Sequence, residues 1–89
     1  MRLMLFAVHD SKVNGFNPPF AAPTPGTAER NFRTACSEPG SDFHRYPGDF
    51  NLYQVGYYES HSGLVEACIP PQFVCSAITT ELAEVRRAS

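Results

Sequence analysis

The sequence predicts an α+β fold, in which a small sheet of about three strands carries one main helix on one face and is followed by a short C-terminal helix. Three observations lead to this prediction: an apolar run at residues 3–8, an amphipathic run at 27–37, and an aromatic and β-branched run at 50–58. The 89 residues suit one domain, which we place at residues 1–79, with a polar tail at 80–89 that is either a frayed helix or disordered.

The first strand is predicted at residues 3–8, where apolar residues occupy both alternating positions of the chain. This pattern is typical of a strand that is covered on both faces, so it predicts a central strand. The next segment, residues 14–25, contains four prolines together with Phe16 and Phe20. Proline excludes a helix or an inner strand there, so we expect an ordered loop attached to the core by the two aromatic rings.

The main helix is predicted at residues 27–37, with either Thr27 or Thr24 as its N-cap; in the second case Pro25 lies in the first turn. Its apolar face is formed by four residues at helical spacing: Ala28, Phe32, Ala35 and Cys36. Phe32 should therefore be a core anchor against the first strand. The helix lies between the first two predicted strands, so their connection should be a right-handed crossover.

The second half of the chain predicts a hairpin. A loop at residues 41–49 precedes the strand at 50–58, Gly63 lies in a turn, and a return strand follows at 64–69. The prolines at 70 and 71 end it, and a short helix is predicted at 71–79. A sheet this small has open edges and an open face, which favour a homodimer or a binding platform.

Composition restricts the function classes. The net charge of −2 argues against strong binding to a phosphate backbone, so any DNA contact must come from a local basic or aromatic patch. Three cysteines with no CxxC pair argue against a zinc site, and we expect thiols in a reducing cytoplasm, with no metal and no cofactor. The apolar start is too short for a membrane span, and it is not expected to be a signal peptide because no small-residue cleavage site follows it.

The order and spacing of several short motifs resemble the small nonstructural proteins of gokushovirus-type microviruses, which are phages with single-stranded DNA genomes. The motifs are Asp10-Ser11-Lys12, Pro19-Phe20, Arg30-Asn31-Phe32, Tyr46-Pro47-Gly48-Asp49-Phe50, and Leu52-Tyr53-Gln54-Val55-Gly56-Tyr57-Tyr58-Glu59. The turn after them has fewer acidic residues than is usual, and the Cys-containing, Pro-Pro ending is particular to this chain. The resemblance implies a nonstructural protein of DNA binding or genome synthesis in the host bacterial cytoplasm, with no catalytic residues to carry over.

The residues themselves do not indicate an enzyme. His9 and Asp10 are adjacent, so in a strand they point to opposite faces. His44 and His61 lie in predicted loops without a nucleophile motif, and no phosphate-binding glycine loop occurs. Cys36 lies on the apolar helix face, where a core role is expected.

A candidate nucleic-acid site combines aromatic and basic residues. In the strand at 50–58, Tyr53, Val55 and Tyr57 share one face, while Phe50, Leu52 and Tyr58 share the other. Of this second set, Phe50 and Leu52 suit the core. Tyr53 and Tyr57 would then lie on the open face, where bases can stack. Four basic residues are candidates for phosphate contacts: Arg30, Arg33, Lys12 and Arg45.

The alternative is that the tyrosines cover the core or a dimer interface, with the arginines paired to Glu29 and Asp49. Arg86 and Arg87 in the tail are expected to be solvated charges. Two functions therefore remain open: a module that binds the single-stranded DNA genome, and a protein–protein adapter that engages a viral or host replication protein or the procapsid.

Overall fold

The computed structural model describes residues 1–78 of the chain. Its elements, in order, are β1 Arg2–Asp10, β2 Gly15–Phe16, β3 Phe20–Ala22, α1 Pro25–Ser37, α2 Asp42–Arg45, a 3-10 turn Pro47–Asp49, β4 Phe50–Glu59 and β5 Val65–Ser76. The predicted α+β class is confirmed. The predicted tail lies outside the described residues.

All strand pairs are antiparallel, and the sheet has five strands where about three were predicted. The order is β2-β1-β4-β5, and β3 pairs with β1 alongside β2. β1 is central, as predicted. Because β1 and β4 are antiparallel, the connection through α1 is not the right-handed crossover that the sequence suggested.

The predicted loop at residues 14–25 contains the two additional strands. β2 and β3 are short and together form one edge of the sheet, separated by a gap that contains Pro18 and Pro19. Proline lacks the N–H that an inner strand needs, so a short edge strand can tolerate it. Phe20 packs on the core, whereas Phe16 is exposed, so only one of the two aromatic anchors behaves as expected.

Thr24 is the N-cap of α1, which resolves the choice between Thr24 and Thr27. The Thr24 hydroxyl accepts a hydrogen bond from the Thr27 amide at 3.1 Å, and Pro25 takes the first helical position. The buried side of the helix is Ala28, Phe32 and Cys36, close to the predicted face.

The core lies between α1 and one face of the sheet. Phe6 of β1 and Leu52 of β4 are fully buried there, and Phe32 of α1 is 2% exposed. Phe43 of α2 closes one side, with its ring 4.7 Å from that of Phe50. Cys36 and Cys75 are buried, and Cys68 is partly exposed.

The predicted helix at residues 71–79 is wrong over residues 71–76, because β5 continues to Ser76. The two prolines of β5 lie in a bulge. Gln54 pairs with Gln72 and Gly56 with Ala67, so the residues between Ala67 and Gln72 are not paired with β4. β5 is an edge strand, where proline in a bulge costs little pairing. Of the remaining residues of the predicted helix, 77 and 78 are helical, and residue 79 lies outside the described residues.

Candidate nucleic-acid interface

α1 covers one face of the sheet, and the opposite face, called the open face below, has no covering element within residues 1–78. In β1 the side chains of Met4, Phe6 and Val8 belong to the core, so Leu3, Leu5, Ala7 and His9 alternate onto the open face. Their paired neighbours on β3, β4 and β5 include Ala21, Tyr58 and Val65. The open face is therefore mainly apolar.

An aromatic row crosses the open face from edge to edge and consists of Phe16 on β2, His9 on β1, Tyr53 on β4 and Phe73 on β5. Ring centroids lie 4.9 Å apart for His9–Phe16, 5.6 Å for Phe16–Tyr53 and 5.8 Å for Tyr53–Phe73, all edge to face. The two outer rings are the most accessible, with Phe16 48% and Phe73 60% exposed. Register creates the row, because His9 pairs directly with Phe16 and Tyr53 with Phe73.

Tyr57 does not join Tyr53 on the open face, which corrects the sequence prediction. β4 has one extra residue relative to β1, because Phe6 pairs with Gln54 while Leu5 pairs with Gly56. A single inserted residue moves every later side chain to the other face. Tyr57 therefore pairs with Met4 on the side of α1, and Tyr58 takes the open face.

Tyr57 instead lies in a polar cluster at the end of the sheet. The Arg2 guanidinium lies 4.0 Å from the centre of its ring, in a cation–π contact. The same guanidinium donates to the Glu66 carboxylate at 3.1 Å. With one ring face already against Arg2, Tyr57 is a weaker candidate for base stacking than Tyr53.

Gly56 is required at this change of face. A Cβ at this position would collide with the backbone carbonyl oxygen of Glu66 on β5. Only glycine allows the two backbones to approach so closely. The glycine of the Leu-Tyr-x-x-Gly-x-Tyr motif therefore has a structural reason.

The two helix arginines lie on the other side of the sheet from the aromatic row. Arg33 reaches Glu29 at 3.8 Å, the pairing that the alternative interpretation expected, and its buried Nε has no hydrogen-bond partner. Arg30 is exposed, and within residues 1–78 its guanidinium forms no ion pair. Neither arginine can contact single-stranded DNA on the open face unless the DNA also passes around the edge of the sheet.

The loop candidates are also dispersed. Lys12 is exposed in the β1–β2 turn, which is held by a 2.9 Å hydrogen bond from its own amide to the Asp10 carboxylate. The Arg45 guanidinium pairs with Asp42 at 3.2 Å and not with Asp49. Of the four basic candidates, only Lys12 is on a turn that joins two strands of the aromatic row.

The open face is also distinctive for its lack of charge. No paired residue on this face is Asp, Glu, Lys or Arg in the described part of the chain. At the end of the sheet, the hydrogen bond from the His61 amide lowers the pKa of the Glu59 carboxyl. The hydrogen bond from the amino terminus lowers it further. Contacts on the open face must therefore be dispersive and aromatic.

Within residues 1–78, no group of three or more His, Cys, Asp or Glu side chains is placed to hold a metal ion. His44 uses its ring Nδ1 on the Cys36 carbonyl at 3.0 Å, a structural role that links α2 to α1. Cys36 and Cys75 are buried beside the core.

Sequence reasoning missed Phe16, Phe73 and His9 as members of the site. Phe16 lay in a predicted loop, Phe73 in a predicted helix, and His9 was considered only for catalysis. The aromatic and β-branched pair Phe73-Val74 was compatible with a strand, but Pro70 and Pro71 before it argued against one.

None of the helices within residues 1–78 has the length and apolar composition needed to cross a membrane. No curated protein and no solved structure matches this chain significantly. The model of one protein family, described as Phage ORF5 protein, matches residues 3–80. Since this match spans most of the chain, including every strand and helix described above except Arg2 at the start of β1, the chain belongs to the Phage ORF5 protein family.

Proposed function

We propose that this phage protein is a non-enzymatic accessory factor of the gokushovirus type, which binds single-stranded DNA weakly during genome synthesis or packaging in the host bacterial cytoplasm. The observation that carries the proposal is the aromatic row on the open face: Phe16, His9, Tyr53 and Phe73.

The row has suitable dimensions for bases. Strands are spaced by about 4.8 Å, so a row across four strands spans about 14 Å. Sheets of this width that bind single strands stack about two or three bases on their aromatic side chains. Stacking needs no positive charge, which reconciles the proposal with a net charge of −2.

The apolar character of β1 also supports a ligand on the open face. Apolar residues at both alternating positions are typical of a strand covered on both faces. Within residues 1–78, α1 covers only one of them. A ligand that stacks on the aromatic row would shield the second.

The test is a titration of a fluorescent oligothymidylate at low and physiological salt. Replacing Tyr53 or Phe73 with Ala should weaken binding about 5- to 150-fold each, the effect of losing one base stack. Tyr57→Ala is the matched control, because it removes the same ring from the other face and should leave the affinity nearly unchanged.

Duplex DNA should bind worse than the single strand, because its bases are already stacked with each other. Equal binding of duplex would show that stacking on the row is wrong. No affinity for the single strand at low salt would refute DNA binding altogether.

A second candidate function is a protein–protein adapter or homodimer that uses the open face. The lack of charge on this face favours it, because large exposed apolar patches usually mark protein contacts. Light scattering at micromolar concentration would then give a mass near twice 9.8 kDa. Loss of that dimer in Phe73→Ala, with no DNA binding by either protein, would establish the adapter in place of the DNA module.

A further inference from the structure

A second concave site lies on the α1 side of the sheet, away from the aromatic row. It is a pocket of about 290 Å³ between α1, α2 and the segment that joins β2 to β3. Its apolar walls are Val8, Phe20, Phe32 and Phe43. This volume is at the small end of the range for ligand sites and is large enough for one apolar side chain.

Two asparagines also line the pocket. Asn17 follows β2, and Asn31 lies on α1. Both are exposed, and neither side-chain amide makes a hydrogen bond within residues 1–78. Each carboxamide offers a donor and an acceptor, which is the pairing capacity of a peptide group.

The lining contains no charged side chain. On the flat open face a stacked single strand can keep its phosphates in water, but a nucleotide inserted in this concave pocket would bring its phosphate against a lining that does not neutralise it. A peptide segment would bring an uncharged side chain and a neutral backbone. Charge and hydrogen-bonding capacity therefore favour the peptide over the nucleotide.

We propose that this pocket docks a partner protein by taking one apolar anchor side chain, of the leucine or phenylalanine class, while Asn17 and Asn31 bind the backbone next to it. The pocket and the aromatic row lie on opposite sides of the sheet. The protein can then hold a single strand on one side and a partner protein on the other. This docking does not depend on DNA binding.

The test uses the full chain, labelled with ¹⁵N, and four probes: N-acetyl-leucinamide, N-acetyl-phenylalaninamide, N-acetyl-alaninamide and thymidine 5′-monophosphate. The first two should shift the amides of Phe32 and Phe43 with dissociation constants of about millimolar order, as expected for ligands of this size. N-acetyl-alaninamide should bind at least several-fold more weakly, because it cannot fill the pocket.

Two variants locate the binding. Ala35→Met places a flexible side chain in the pocket, since Ala35 lines it, and should abolish probe binding. Thr34→Met, at the neighbouring exposed position, is the matched control and should retain it. Asn31→Ala should weaken probe binding several-fold and acts as a second test if Ala35→Met does not fold.

Three outcomes would overturn the docking proposal: shifts confined to the open face, tighter binding of the nucleotide than of the capped amino acids, or no binding of any probe. Binding that appeared only after Leu82→Ser and Val85→Ser would assign the pocket to the chain's own C-terminal residues and would also overturn it. Single-strand affinity is measured in the same variants, so a failure of the pocket is distinguishable from a failure of the aromatic row.

Discussion

The two faces of the sheet use similar residue types for different purposes. On the covered face, Phe6, Leu52 and Phe32 are at most 2% exposed and pack against each other. On the open face, Phe16 and Phe73 are about half exposed or more, and each ring contacts that of Tyr53, which lies between them. Hydrophobic composition alone therefore does not identify the core of this chain.

The difference between the faces follows from the position of a single helix. α1 lies over the strands whose side chains alternate inward, and no described element reaches the other side. Leaving exposed aromatic side chains on one face gains nothing for folding, since their apolar surface remains in water. The binding role proposed above for the open face would explain this arrangement.

The largest effect should come from removing a ring on the covered face. Phe32→Ala should reduce the free energy of unfolding by about 3–5 kcal/mol, since it leaves a cavity under α1. Phe73→Ala, on the open face, should change it by less than about 1 kcal/mol. Urea denaturation of both variants measures the contrast, and equal losses would show that the open face is also core.

The change of face within β4 should give the next effect. Gly56→Ala forces a Cβ into the Glu66 carbonyl and should cost about 1–3 kcal/mol of stability. Gly40→Ala is the matched control, because a Cβ at Gly40 meets nothing within 4 Å. A neutral Gly56→Ala would mean that β4 and β5 are not so closely paired, and the assignment of Tyr57 to the covered side would then be in error.

The helix arginines test whether DNA stays on one face. Sequence reasoning placed Arg30 and Arg33 in the phosphate contact, in which case replacing both with Ala would flatten the salt dependence by up to about two slope units. Because both lie across the sheet from the aromatic row, we expect the slope of log affinity against log salt to change by less than about half a unit. A change of about two units in this slope would show that the DNA also passes over α1.

The smallest effect belongs to the end of the sheet, where Glu59 contacts the His61 amide and the amino terminus. These partners lower the folded pKa of Glu59 from its ordinary value of 4.5, so the stabilisation is present above that pH and is lost as the pH falls through the folded pKa. Acid titration of stability should be slightly less steep in Glu59→Gln than in the natural protein below pH 4.5. Identical curves would show that the contact contributes nothing.

The covered face could be predicted from the sequence, and the open face only in part. The helical spacing of Ala28, Phe32 and Cys36 and the alternation of Phe50 with Leu52 identified the core, because each follows one uninterrupted period. Tyr57 was misplaced because one inserted residue reverses the alternation. Gly56 was the available sign, since glycine inside a strand often marks a bulge.

The continuation of the edge strand β5 beyond residue 69 was also not predicted, for a physical reason. Local signals at Pro70 and Pro71 favour a break, but pairing with β4 continues on both sides of them. Long-range pairing of this kind leaves no local pattern in the chain. The Phe73 ring could therefore be placed in the aromatic row only once the register of β5 was known.

Both edges of the sheet contain a Pro-Pro pair, Pro18-Pro19 beside β2 and β3 and Pro70-Pro71 in β5. Unpaired strand edges can recruit further copies and grow into aggregates, and proline at an edge prevents this by removing donors. The two proline pairs disfavour the pairing of a further strand at either edge, so we expect self-assembly of this chain to use the faces of its sheet.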